Sequence, residues 1–117
     1  MKILVIEDSR DMLTIYEYAL EKHGHEVVTA TSRPSNGVLP VDVAIVDYQL
    51  KHETGADVVQ ALREDQPDLP VVYATAATGA KVLESLDSDN RTTIVRKPFA
   101  INDLFEAINC VIKGSCD

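Results

Sequence analysis

The chain has 117 residues, 45% hydrophobic and 26% charged, which suits one globular domain and excludes disordered, collagen-like and disulfide-framed classes. Nineteen acidic against eleven basic residues give a formal charge of −8, so nucleic acid and anionic membrane would be repelled rather than bound. No apolar run is long enough to cross a bilayer, and the first residues leave no room for a signal-peptide core.

In chain order, Ile3–Ile6 is a short apolar run, as expected of a strand buried on both faces. Arg10–His23 then carries Met12, Tyr16, Ala19, Leu20 and His23 at helical spacing, with Ser9 as N-cap and Gly24 as stop. Glu26–Thr31 alternates and is more polar, which suits an edge strand. Ser32–Pro40 holds Pro34, Gly37 and Pro40 and is short for a crossover between parallel strands, so its helix is predicted to be a turn or two, or missing. Val41–Val46 is the third strand. Ala56–Arg63 is a helix through Val58, Val59, Ala61 and Leu62, and Val71–Ala74 is the fourth strand. Gly79–Leu86 reads as a shorter helix with Val82, Leu83 and Leu86, and Thr92–Val95 as the fifth strand. Ile101–Lys113 closes the pattern as a helix ending before Gly114. Alternation of this kind predicts an α/β fold in one domain over residues 1–117. The expected form is a flavodoxin-like, five-stranded parallel sheet of order 2-1-3-4-5 with helices on both faces. Cys110 and Cys116 match no metal spacing and are expected to be free thiols in a reducing, cytoplasmic setting.

In an open parallel sheet, ligands bind outside the carboxyl ends of the strands. Glu7-Asp8 follow the first strand, Asp47 the third, Thr75 the fourth and Lys97-Pro98 the fifth. Each has an ordinary structural explanation alone. Acids suit a helix N-terminus, aspartate suits a turn, threonine suits a strand end, and lysine suits solvent. Together they bring three carboxylates, a hydroxyl and an ammonium to one sheet edge. Carboxylates so gathered repel unless a cation lies among them, and oxygen-only ligands favour Mg²⁺. An aspartate there can attack phosphorus, while the metal, lysine and hydroxyl hold the other oxygens.

Across nearly its whole length the sequence resembles the receiver domain of two-component response regulators. The matching stretches are Ile3–Asp8 for the acidic pair, Val43–Asp47 with Gly55 beyond it, Leu69–Ala76, and Arg96-Lys97-Pro98-Phe99. The resemblance implies that Asp47 accepts a phosphoryl group from a phosphohistidine. It implies Mg²⁺ (or Mn²⁺) held by Asp8, Asp47 and the Gln49 backbone carbonyl, with Glu7 acting through water. Lys97 would pair with Asp47 or its phosphate, and Thr75 would turn to bond the phosphoryl group. Gln49 and Ala77 would tune the lifetime of the acyl phosphate, and the Lys97-Pro98 bond would be cis. The partners implied are a sensor histidine kinase or phosphotransfer protein and a downstream effector. A homodimer through the fourth helix, fifth strand and fifth helix is a further mode the resemblance allows. No membrane or nucleic-acid partner is expected, and no enzyme activity beyond Mg²⁺-dependent self-phosphorylation and dephosphorylation.

Four positions depart from the family pattern. Lys51 stands where a proline is frequent, and Ile94 where a switch aromatic is frequent, leaving Tyr73 as a core tyrosine nearby. The stretch before the third strand is short, and Ala100 replaces a capping residue, so the last helix is expected to start near Asn102. A haloacid-dehalogenase-type phosphatase would want a second acid where Gln49 stands. A flavodoxin would want a hydroxyl- and glycine-rich phosphate loop where Glu7-Asp8 stand. A degenerate receiver acting as an interaction module would lack one of the site positions, and here all are present.

Overall fold

Five short apolar files pair into one parallel sheet whose order is β2-β1-β3-β4-β5. The computed structural model describes residues 1–34, 37–76 and 91–114. Its elements are β1 (Lys2–Ile6), α1 (Arg10–Lys22), β2 (Glu26–Ala30), β3 (Val43–Asp47), α2 (Gly55–Asp65), β4 (Val71–Thr75), β5 (Thr92–Arg96) and α3 (Ile101–Lys113). β3 and β4 are buried along their whole length, whereas β2 at the edge is half exposed, as its polar alternation requires. The helix expected over Gly79–Leu86 lies outside the described residues.

Alternation along the strands divides the core in two. Ile3, Val5, Val43, Ile45, Val72, Ala74 and Val95 point to a first face, covered by Leu13, Tyr16 and Leu20 of α1 and by Leu104, Ala107, Ile108 and Val111 of α3. Leu4, Ile6, Ala44, Val46, Val71 and Tyr73 point to a second face, covered by Val58, Val59 and Leu62 of α2. Both helices that open beside the strand ends are capped. Ser9 Oγ accepts from the Met12 N–H at 3.4 Å, and Thr54 Oγ1 from the Asp57 N–H at 3.2 Å. α3 starts at Ile101, ahead of the expected Asn102. The Ala100 methyl cannot cap it, but the Asp103 carboxylate accepts from the Ala100 N–H at 3.3 Å and supports the first turn.

Between β2 and β3 no helix occurs among the described residues. The Leu39-Pro40 peptide that leads toward β3 is cis. The end of the connection is pinned by Gln66, whose side chain accepts from the Val41 N–H at 3.1 Å and donates to the Val41 carbonyl at 2.8 Å, much as a neighbouring strand would. Beside this connection lies an open groove of about 570 Å³, lined in part by Arg33, Val38, Leu39, Pro40 and Leu62.

One expectation fails at the far end of the chain. Cys110 is disulfide-bonded and not a free thiol. Spacing rules drawn from metal sites carry no information about such a bond; Cys116 lies outside the described residues.

Candidate functional site

Strand parity decides which side chains meet at the carboxyl edge. Glu7 continues the file of Ile3 and Val5, Asp47 that of Val43 and Ile45, and Lys97 that of Val95, so all three rise from the first face, above α1 and α3. Glu7 and Asp47 are buried, and Asp8 is half-buried where the chain leaves β1 for α1. Carboxylate oxygens of Glu7, Asp8 and Asp47 all lie within 4.8 Å of one another. The Lys97 ammonium reaches in from β5, 3.3 Å from Glu7 Oε1 and 3.4 Å from Asp47 Oδ2. The peptide bond after Lys97 is cis, as the resemblance implied.

Thr75 comes from the other side. It continues the file of Val71 and Tyr73 on the second face and is fully buried. Asp47 is the register partner of Ala74, which places Thr75 one residue further along the adjacent strand. Its carbonyl accepts from the Lys97 N–H at 2.8 Å, tying the ends of β4 and β5 together. Gln49 lies beside the carboxylates through its backbone, where its N–H donates to Asp47 Oδ1 at 3.2 Å. Ala77 lies outside the described residues.

The loop after β3 is shaped by Gly55. A Cβ there would sit 2.6 Å from the Asp47 carbonyl oxygen and 2.8 Å from the Tyr48 Cα, so only glycine lets α2 start this close to Asp47. The Gly55 N–H donates to the Tyr48 carbonyl at 2.7 Å and closes the turn. Lys51 is exposed in this loop, and beside it a cleft of about 290 Å³ leads away from Asp8 between Arg10, Thr31, Ser32 and His52. Ile94 pairs in register with Tyr73, which is a core residue stacked edge-on against Tyr48 at 5.7 Å.

The electrostatics are those of a pocket with too much negative charge. Burial pushes the Glu7 carboxyl up to about 8, helped by its hydrogen bond to Asp47 and by the Asp47 charge, while Lys97 opposes the rise. At neutral pH the Glu7 carboxyl therefore keeps its proton in the metal-free pocket. Once Glu7 gives up that proton, one ammonium does not neutralise the three acids, and hard, anionic oxygens at this separation fit a small divalent cation.

Sequence reading treated Tyr16 as one more apolar position on α1, and the structure gives it a second property. Tyr16 is 3% exposed, its ring lies 6.0 Å from that of Phe99, and its hydroxyl is buried with no hydrogen-bond partner among the described residues. Burial, then the charges of Glu7 and Asp47, raise its ionisation well above the ordinary phenol range. The usual cost of such an unpaired group is about 1–3 kcal/mol.

A parallel sheet of order 2-1-3-4-5 with helices on both faces defines the flavodoxin-like class of α/β domains, here with an acidic pocket at the ends of β1 and β3 and a lysine after the edge strand β5. The family model for the response regulator receiver domain matches residues 3–109, and the chain belongs to that family. The response regulator SaeR of Staphylococcus aureus is 26% identical over 110 residues, which are 92% of this chain and 48% of that protein; the chain thus spans about half the length of the curated relatives it matches. Among solved structures, a response regulator receiver domain protein from Clostridium thermocellum superposes with a TM-score of 0.80 at 27% identity, covering 96% of this chain and 94% of that one. TrrA of Thermotoga maritima, solved in complex with Mg(2+)-BeF, shares the fold at a TM-score of 0.76 and 20% identity, covering 94% and 97%. The order 2-1-3-4-5 and the absent second helix agree with what the sequence predicted. Among the described residues, no helix is long and apolar enough to cross a membrane.

Proposed function

We propose that this receiver domain is a working phosphoacceptor, with Asp47 as the nucleophile. One Asp47 oxygen attacks the phosphorus of a phosphohistidine; the new O–P bond forms as the P–N bond breaks, and its electron pair leaves with the imidazole. Asp8 and Asp47, with the Gln49 carbonyl and with Glu7 through water, are the residues that would hold Mg²⁺ or Mn²⁺. When bound, the cation supplies neutralising charge to the phosphoryl oxygens. Lys97 holds Asp47 in line and then pairs with the phosphoryl group, and Thr75 hydrogen-bonds it from the adjacent strand. The Mg(2+)-BeF complex of TrrA supports this assignment of a metal and a phosphoryl-like group to such a pocket.

The partners of this chemistry are a sensor histidine kinase or phosphotransfer protein upstream and an effector downstream, and the product is an altered binding surface. The observation that carries the reading is the convergence of Glu7, Asp8 and Asp47 oxygens within 4.8 Å, with Lys97 against Asp47 at 3.4 Å. A degenerate interaction module is the less favoured reading, because no acidic, hydroxyl or lysine position is missing. The test is incubation with acetyl phosphate and Mg²⁺. Wild type gains one phosphoryl group by intact mass and Asp47→Asn gains none; an unlabelled wild type would favour the interaction module, and turnover of unrelated phosphomonoesters a phosphatase.

A further inference from the structure

The packing of α1 against the pocket points to a residue that the family assignment does not include. Tyr16 belongs to the same buried cluster as Val5, Ile45 and Val95, the apolar layer directly beneath Glu7, Asp47 and Lys97. Its ring rests against Phe99, two residues past Lys97. The ring alone accounts for this packing, and phenylalanine would fill the space equally well. The hydroxyl is what needs an explanation, since buried polar groups in folded proteins nearly always have a partner and this one has none. The phenol packs in the layer from whose strand files Glu7 and Asp47 rise, and it stays protonated, so it can donate toward them.

We propose that the Tyr16 hydroxyl is a positioning group of the acidic pocket, donating through one water to the Glu7 and Asp47 carboxylates when these hold a divalent cation. The inference rests on the cation-site reading above. Glu7 reaches a metal only through water in that reading, so a donor below it would fix both the carboxylate and the water. Tyr16 touches no reacting atom and works by limiting how the acids can turn.

The experiment compares the full chain and Tyr16→Phe. Mg²⁺ is titrated by calorimetry and by the tyrosine near-ultraviolet difference spectrum, and thermal unfolding is measured in EDTA. The expected result is a Tyr16→Phe protein as stable as wild type or more so, with Mg²⁺ bound about three- to tenfold more weakly, the range for loss of a water-bridged bond to a charged group. The Mg²⁺-induced tyrosine signal should also shrink. Equal Mg²⁺ affinity in the two proteins would overturn the role of Tyr16 while leaving the cation site intact. A wild type that binds no Mg²⁺ would overturn both, so the two failures are distinguishable. A crystal structure of the Mg²⁺-loaded wild type gives a reading independent of the variant. A water between Tyr16 Oη and either carboxylate is expected, and a bare hydroxyl would refute the inference.

Discussion

The two faces of the sheet are made from the same strands by the same alternation, yet they are roofed very differently. The first face, under α1 and α3, has two long helices, and its files end in Glu7, Asp47 and Lys97. Among the described residues, the second face has α2 and the stretch Val38–Val41, where the Gln66 amide does the pinning and a groove of about 570 Å³ stays open. Its file ends in Thr75, and Ile94 occupies the position of the usual switch aromatic. The carboxylates that lie within 4.8 Å of one another, and the Lys97 ammonium beside them, sit on the side of α1 and α3. The hydroxyl that is proposed to move sits on the other.

The largest expected effect tests that contrast directly. Leu104 of α3 is fully buried on the first face, and Leu104→Ala should cost about 2–5 kcal/mol in urea unfolding. Val38, partly buried over the second face, should cost less than about 1 kcal/mol on truncation to alanine. Equal losses would mean the two roofs are equally tight. Next comes Gly55→Ala, whose methyl must displace backbone at Asp47 and Tyr48 and should cost about 1–3 kcal/mol. Because the clash is at Asp47 itself, the variant should also slow labelling by acetyl phosphate; a stable, normally labelled protein would show the loop yields freely.

The pH dependence is a third, smaller test. The unfolded chain releases the Glu7 proton near 4.5 and the folded protein near 8. The contribution of Glu7 to stability is therefore complete below the first value and lost as pH rises through the second. Without metal, thermal unfolding temperatures should fall across this window, and Glu7→Gln should flatten the fall. Mg²⁺ affinity should rise over the same range, since the cation competes with that proton. The smallest effect is at Arg33, whose half-exposed ion pair with Glu53 at 2.8 Å links the two loops beside the groove. Arg33→Ala should change stability by about 0–1 kcal/mol, and a larger loss would mean the second face is braced more firmly than its open groove suggests.

Much of this architecture was legible from residue order. Runs such as Val41–Val46 and Val71–Ala74 read as doubly buried strands because they are short, apolar and rich in β-branched residues, and the strand ends then named Glu7, Asp8, Asp47, Thr75 and Lys97 as neighbours. The nine residues Ser32–Pro40 announced the missing helix by length alone. Other features depend on three-dimensional contacts that spacing does not carry. The start of α3 turned on Asp103 reaching back to the Ala100 N–H, and the disulfide of Cys110 left no mark in the cysteine spacing. Tyr16 was hidden for a different reason, because an aromatic at a helical core position looks apolar until its hydroxyl is followed to the pocket. The parity that splits Thr75 from Asp47 could have been read in advance, by counting back from each strand end.

The most direct test of the central claim locates the phosphoryl group. Wild-type protein treated with acetyl phosphate and Mg²⁺ is reduced with borohydride, which converts an aspartyl phosphate to homoserine, and the peptides are sequenced by mass spectrometry. Homoserine at position 47, dependent on Mg²⁺ and absent from Asp8→Asn, is the expected outcome. Homoserine at another aspartate, or labelling at Asp47 that ignores both Mg²⁺ and Asp8, would contradict a shared cation and phosphoryl site built by Glu7, Asp8, Asp47 and Lys97.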